Sequence, residues 1–185
     1  MLRVLLDTCV LFKSTLCDTL LSVAEEGLYQ PLWSMDILEE LRRNLARYGV
    51  AERAIEHRID QMTTHFPGST VENYDRLTEV MTNHSKDRHV LAAAVCGGAE
   101  LIVTENLADF PAESVKPYDM DVVTQDCFLL DQLDLAPQRV RGALDRQVSR
   151  YKRNPRTVED LLITLGRPGS GCPLFSQQYH ARMAR

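Results

Sequence analysis

Apolar positions along the chain alternate between short continuous runs and helical stripes, the order expected of an α/β fold. Leu2-Arg3-Val4-Leu5-Leu6 reads as a buried strand and stops on Asp7. Residues 15–26 place Leu16, Leu20, Leu21 and Ala24 on one helical face, and Gly27 ends the helix. Tyr29 to Trp33 reads as an extended piece, with Pro31 pointing to an edge or strand-end position. Ser34 then opens a helix whose stripe is Ile37, Leu38, Leu41 and Leu45, with Glu40 on its border, and Gly49 closes it. Residues 51–65 predict another amphipathic helix, closed by Pro67-Gly68, and a polar connection without evident chemistry follows. From Ser85 the pattern is a helix start, ended by Gly97-Gly98, and strands are expected at 101–104 and 122–124. Beyond Gln125 the pattern is helical (126–135, 137–153, 156–165), and residues 166–185 read as loop or mobile tail.

Chemistry enters at the ends of these elements. A strand that delivers Asp7 to the carboxyl edge of a parallel sheet places it where ligands gather in such folds. Taken alone, Asp7 is more readily read as the cap of the next helix, with Thr8 sharing the task. Asp87 is harder to dismiss. Val90, Leu91 and Ala94 follow it at three, four and seven residues, so it shares the inward face, where an unpartnered acid costs several kcal/mol. The strand at 101–104 exits into Glu105-Asn106-Leu107-Ala108-Asp109, again polar at a strand end. If these acids converge, each pair ~5 Å apart repels by about 3 kcal/mol at an effective dielectric of ~20. Such a cluster needs a divalent cation or raised pKa values to exist. Oxygen ligands without a Cys/His set favour Mg2+ or Mn2+, and the five histidines show no metal-ligand spacing. Cys9 reads as a small buried residue.

Composition adds three limits. The apolar runs are too short to span a bilayer, and no basic-then-apolar leader opens the chain. Five scattered cysteines suit reduced thiols in a cytoplasmic protein. Net charge is −5, split into 11 Lys/Arg against 20 Asp/Glu over residues 1–125 and 10 against 6 over residues 126–185. This divides the chain into an acidic body (1–125) and a helical, basic extension (126–185). Between Arg139 and Arg156 there are seven basic residues and one acid, Asp145. Arg139, Arg146, Arg150 and Arg153 are therefore candidates to steer RNA by phosphate contacts, and their removal should flatten the salt dependence of RNA binding. A solvated helix face is the alternative. The glycine-rich stretch 166–171 follows no strand and lacks a phosphate-loop signature.

The ordered set Asp7-Thr8, Ser34-x5-Glu40-Leu41, Lys86-Asp87-Arg88-x-Val90-x-Ala92-Ala93 and Ile102-Val103-Thr104-x-Asn106-x2-Asp109-Phe110-Pro111 resembles a PIN domain, and within that family the VapC-type toxins of bacterial toxin–antitoxin pairs. The resemblance covers roughly residues 1–125. It implies a three-layer α/β/α sandwich around a central parallel sheet. It also implies Mg2+- or Mn2+-dependent endoribonuclease activity, homodimers, and a small antitoxin partner that occludes the site. Carried over by position, Asp7, Asp87 and Asp109 would hold the metal, with Glu40 as ligand or water-orienting base and Thr8 and Asn106 in support. The chain departs from the family pattern at Asn106, where an acid is usual, which leaves Asp109 as the fourth acid. Two other readings stay open: a catalytically silent PIN-like module that binds RNA or protein, and an Asp-nucleophile phosphatase. The latter would want a second acid two residues after Asp7, where this chain has Cys9.

Overall fold

A computed structural model describes residues 1–184, and in it five parallel strands form one sheet in the order β3-β2-β1-β4-β5. The first half of the chain builds one side of this order. It runs β1 (Arg3–Leu6), α1 (Thr8–Phe12), α2 (Ser14–Glu25), β2 (Gln30–Ser34), α3 (Met35–Arg47), α4 (Glu52–His65) and β3 (Thr70–Val71). The chain then passes α5 (Asp75–Thr78) and α6 (Arg88–Cys96) and crosses to the other flank of β1. There it lays down β4 (Leu101–Val103), α7 (Ala112–Val115) and β5 (Asp121–Val123). Because parallel crossovers are right-handed, the two directions of travel put helices on opposite faces of the sheet. This is the expected α/β/α sandwich. The direction reverses between β1 and β4, so the crevice beyond their carboxyl ends is the switch point where such sheets bind ligands. Val4, Leu5, Leu6, Ile102 and Val103 are fully buried there, so the backbone that carries the site is fixed by core packing.

Three expectations from sequence are corrected. First, the segment Gln30–Ser34 is not an edge: it pairs with β1 on one side and β3 on the other. Gln30 and Trp33 donate to opposite neighbours, Leu2 and Ser69, so the nitrogen of Pro31 faces the β3 side one step before that ladder begins. The missing N–H therefore forfeits no bond, and Pro31 is tolerated inside the sheet. Second, the connection before Ser85 carries the short strand β3 and part of the site described below.

Third, residues 166–184 are not a loose tail. The extension forms α8 (Gln125–Leu135), α9 (Pro137–Arg150), α10 (Val158–Gly166) and α11 (Pro173–Met183); Arg185 lies outside the described residues. Both oxygens of Asp126, on α8, accept the N–H groups of Leu174 and Phe175 at 3.0 and 2.7 Å, capping α11 across a gap of about fifty residues. Phe175 is fully buried and Tyr179 nearly so. The helix shows no clear apolar stripe because Phe175 and Tyr179 are its only buried residues, and Leu174, its other large apolar residue near the start, is exposed. One hydrophobic core runs through both parts of the chain, joined by an edge-to-face pair of Tyr29 and Phe128 with ring centroids 4.9 Å apart.

Candidate active site

The site begins where β1 ends. Asp7 is 3% exposed and accepts three hydrogen bonds. Oδ1 takes the Thr8 N–H at 2.7 Å, so Asp7 does cap α1, as the plainer reading had it. Oδ2 takes the Thr104 hydroxyl at 2.6 Å and the Cys9 thiol at 3.3 Å. The capping and site roles therefore coincide: the cap fixes the carboxylate at the switch point, and Thr104, just past β4, ties the two strand ends together. Burial pushes the Asp7 carboxyl up from its ordinary range, and Glu40 adds repulsion. The three hydrogen bonds only partly offset this. Cys9 is pushed up to about 12 by burial and by Asp7, so it stays a neutral thiol and a donor. Cys9 and Thr104 thus belong to the site although the sequence reading assigned neither; a polar pair two residues past Asp7 and one past β4 was the available signal.

Glu40 sits in the second turn of α3. Ser34 caps that helix by accepting the Ile37 N–H at 3.2 Å, and the resulting direction brings Glu40 Oε2 to 2.9 Å from the Thr8 hydroxyl. Thr8 therefore holds the Glu40 carboxylate in place.

Asp87 closes a 3-10 turn, Ser85–Asp87, and opens α6 without using its side chain as a cap. Its carboxyl is half-buried, and burial together with Asp7 and Asp109 pushes it up to about 6, with His89 and His84 pulling the other way. Asp109 ends a second 3-10 turn, Leu107–Asp109. Asn106 positions this turn through its backbone: its N–H goes to the Thr104 hydroxyl at 3.0 Å and its carbonyl takes the Asp109 N–H at 3.0 Å. The turn is joined to the other wall where the His84 N–H meets the Asp109 carbonyl at 3.1 Å.

The tightest group is Asp87, Asp109 and His84, each offering a donor atom within 4.8 Å of the others, and His84 Nδ1 stands 3.6 Å from Asp87 Oδ2. The expectation that no histidine has ligand spacing is corrected here. His84 lies three residues before Asp87, and the 3-10 turn folds it back over the acid. Three donors this close can share one divalent cation at 2.0–2.6 Å. Asp7 is the neighbouring charge rather than a fourth member of that tight group, and Glu40 lies beyond Asp7.

Glu105 is not available to the cluster. It is paired with Lys13 and takes the Gln125 amide at 2.9 Å. The same amide nitrogen donates to the Gly171 carbonyl at 2.8 Å, so the glycine-rich stretch forms part of the wall beside the cleft. A Cβ at Gly171 would lie 2.3 Å from Gln125 Nε2, at a φ of +94° that side chains rarely adopt. Close approach, not nucleotide binding, is what this glycine serves.

Three of the four arginines proposed to steer RNA are held away from this cleft. Arg150 pairs with Glu25 and Arg146 with Glu26, and Arg139 lies against Gly27. Those partners form the turn leading into the first residue of β2, at the opposite end of the sheet from Asp7 and Thr104. Arg153 is exposed in the turn after α9. The positive charge of α9 is therefore largely spent on docking it to α2.

A parallel sheet with acids gathered at its switch point is the architecture of a PIN domain, and the PIN-domain family profile matches residues 3–108; the chain belongs to this family. A second profile, the VapC50 C-terminal domain, matches residues 125–181. Over 93 residues the chain is 47% identical to a Mycobacterium tuberculosis protein named "Putative ribonuclease VapC50", a match covering 50% of this chain and 55% of that protein. The chain thus matches about half the length of this curated relative. No solved structure matches the chain. Among the described residues no helix is long and apolar enough to cross a membrane.

Proposed function

We propose that this protein is a metal-dependent endoribonuclease that hydrolyses RNA phosphodiesters and acts as the toxin of a toxin–antitoxin pair. The observation that carries the reading is the convergence of Asp87, Asp109 and His84 within 4.8 Å beside the buried Asp7. Family membership and the relative's name support the ribonuclease class. A small antitoxin that covers the cleft and a homodimeric state follow from the same likeness and stand as proposals with it.

Asp87, Asp109 and His84 would hold Mg2+ or Mn2+, with Asp7 compensating its charge from behind. When bound, the ion supplies Lewis acidity and neutralises charge building on the phosphoryl group. The protein's own groups do the rest. Thr104 and the neutral thiol of Cys9 hold Asp7 Oδ2 in one orientation, so the acid needs no rearrangement as a ligand approaches. Thr8 holds Glu40 toward the cleft, where its carboxylate would orient an attacking water and accept its proton.

Metal binding tests the donor set directly. Calorimetric titration is expected to show Mn2+ binding to the wild type and none to an Asp87→Asn/Asp109→Asn double variant. His84→Ala should weaken Mn2+ about tenfold and Mg2+ less, because imidazole suits the softer ion. Equal affinity in the double variant would remove these residues from the metal site.

A further inference from the structure

We propose that single-stranded RNA enters the cleft along α3, following a ladder of arginines that rises from Glu40. This deepens the ribonuclease reading and rests on it. On an α-helix, residues three, four and seven apart share a face. Arg43 and Arg47 therefore stand one and two turns beyond Glu40, on the side that Glu40 turns toward Thr8, and Arg47 lies about 10 Å along the axis from it. Both arginines are exposed, and among the described residues neither makes an ion pair. Their neighbour Arg42 is by contrast tied to Glu39 and Glu52. At the top of the ladder Tyr48 is 78% exposed and braced on one edge by Phe12, with ring centroids 4.9 Å apart. Arg53 follows in the first turn of α4, also exposed and without an ion pair among the described residues.

Over residues 1–125 acids outnumber bases 20 to 11, and a polyanion meets repulsion over most of that surface. Unpaired arginines beside the acidic cleft supply the local attraction, and a fixed exposed ring offers an unpaired base a surface to stack on. The basic run of α9 is the larger cluster in sequence, but its arginines at 146 and 150 are already neutralised at the far end of the sheet.

The test is the salt dependence of RNA binding by the full chain, read by anisotropy of a labelled, mixed-sequence single-stranded RNA. An Asp87→Asn background keeps the strand intact. Arg43→Gln with Arg47→Gln is expected to weaken binding about tenfold at low salt and to lower the slope of log K against log[salt] by about 1.4, at ~0.7 per phosphate contact. The corresponding Arg→Lys pair should restore the slope, which separates lost charge from lost structure. Tyr48→Ser should weaken binding with the slope unchanged, and Arg146→Gln with Arg150→Gln should leave the slope as it was. An unchanged slope in the α3 pair, or no RNA binding by the unaltered α3 surface, overturns the proposal. The ribonuclease reading fails separately, if wild type cleaves no RNA with metal present while the α3 variants still shift the slope.

Discussion

Asp7→Asn is expected to reduce RNA cleavage by about a thousandfold or more, equivalent to ~4 kcal/mol in the barrier, while making the metal-free protein more stable. The two effects share one cause. Asp7 is a buried carboxylate whose ionised form is disfavoured by desolvation and by Glu40, and Asp87 is strained in the same way by Asp7 and Asp109. An amide at position 7 keeps the shape and, through its oxygen, the Thr8 cap, while the bonds to Thr104 and Cys9 reverse, the NH2 donating to the hydroxyl oxygen and the sulfur. What is lost is the charge. The expected gain is about 1–2 kcal/mol, the common scale for relieving a destabilised functional site.

The pH dependence gives the signature. A carboxyl raised on folding holds its proton more tightly in the native state than in the unfolded one. Its stabilising contribution is then complete below the ordinary value of 3.8 and is lost as pH rises through the native value, about 6 for Asp87. Metal-free wild type should therefore lose stability between pH about 4 and about 6, and Asp7→Asn should lose less, since it also relieves Asp87. Thermal melts in chelator across that window check this; parallel profiles would mean that Asp7 carries no strain.

Phe175→Ala is expected to cost about 3–5 kcal/mol, as a fully buried aromatic removed from a packed core. The side chain is fully enclosed, its N–H is held by Asp126, and its ring meets Tyr179 edge-on with centroids 5.9 Å apart. If the last twenty residues were a mobile tail, the same change would cost nothing. Chemical denaturation decides between these outcomes. A large loss would also loosen the Gly171–Gln125–Glu105 contact beside the cleft, so the variant should lose activity before it loses its fold.

How far the sequence speaks depends on the range of the interaction involved. The strand at 3–6 and the helices with apolar stripes are read from local periodicity, and the acids Asp7, Glu40, Asp87 and Asp109 are grouped as one set by the resemblance to the PIN domain. The structure places all four acids at one sheet edge. Features decided by long-range partners escape that reading. Pro31 looks like an edge residue until β3 is seen to start one step later. His84 has no ligand spacing until the turn over Ser85–Asp87 folds it onto Asp87 and Asp109. Arg146 and Arg150 look like a polyanion surface until Glu25 and Glu26, about 120 residues earlier, are found against them. The helix Pro173–Met183 takes its order from Asp126 and from the core rather than from its own pattern.

The most direct measurement is cleavage of a mixed RNA pool by wild type and Asp87→Asn, each with Mg2+, with Mn2+ and with chelator, alongside circular dichroism to confirm that both are folded. The account predicts cleavage by wild type only with metal, strongest with Mn2+, and none by a folded Asp87→Asn protein. RNA cleavage that persists in chelator or in Asp87→Asn, or a wild type inert with both ions, would contradict it.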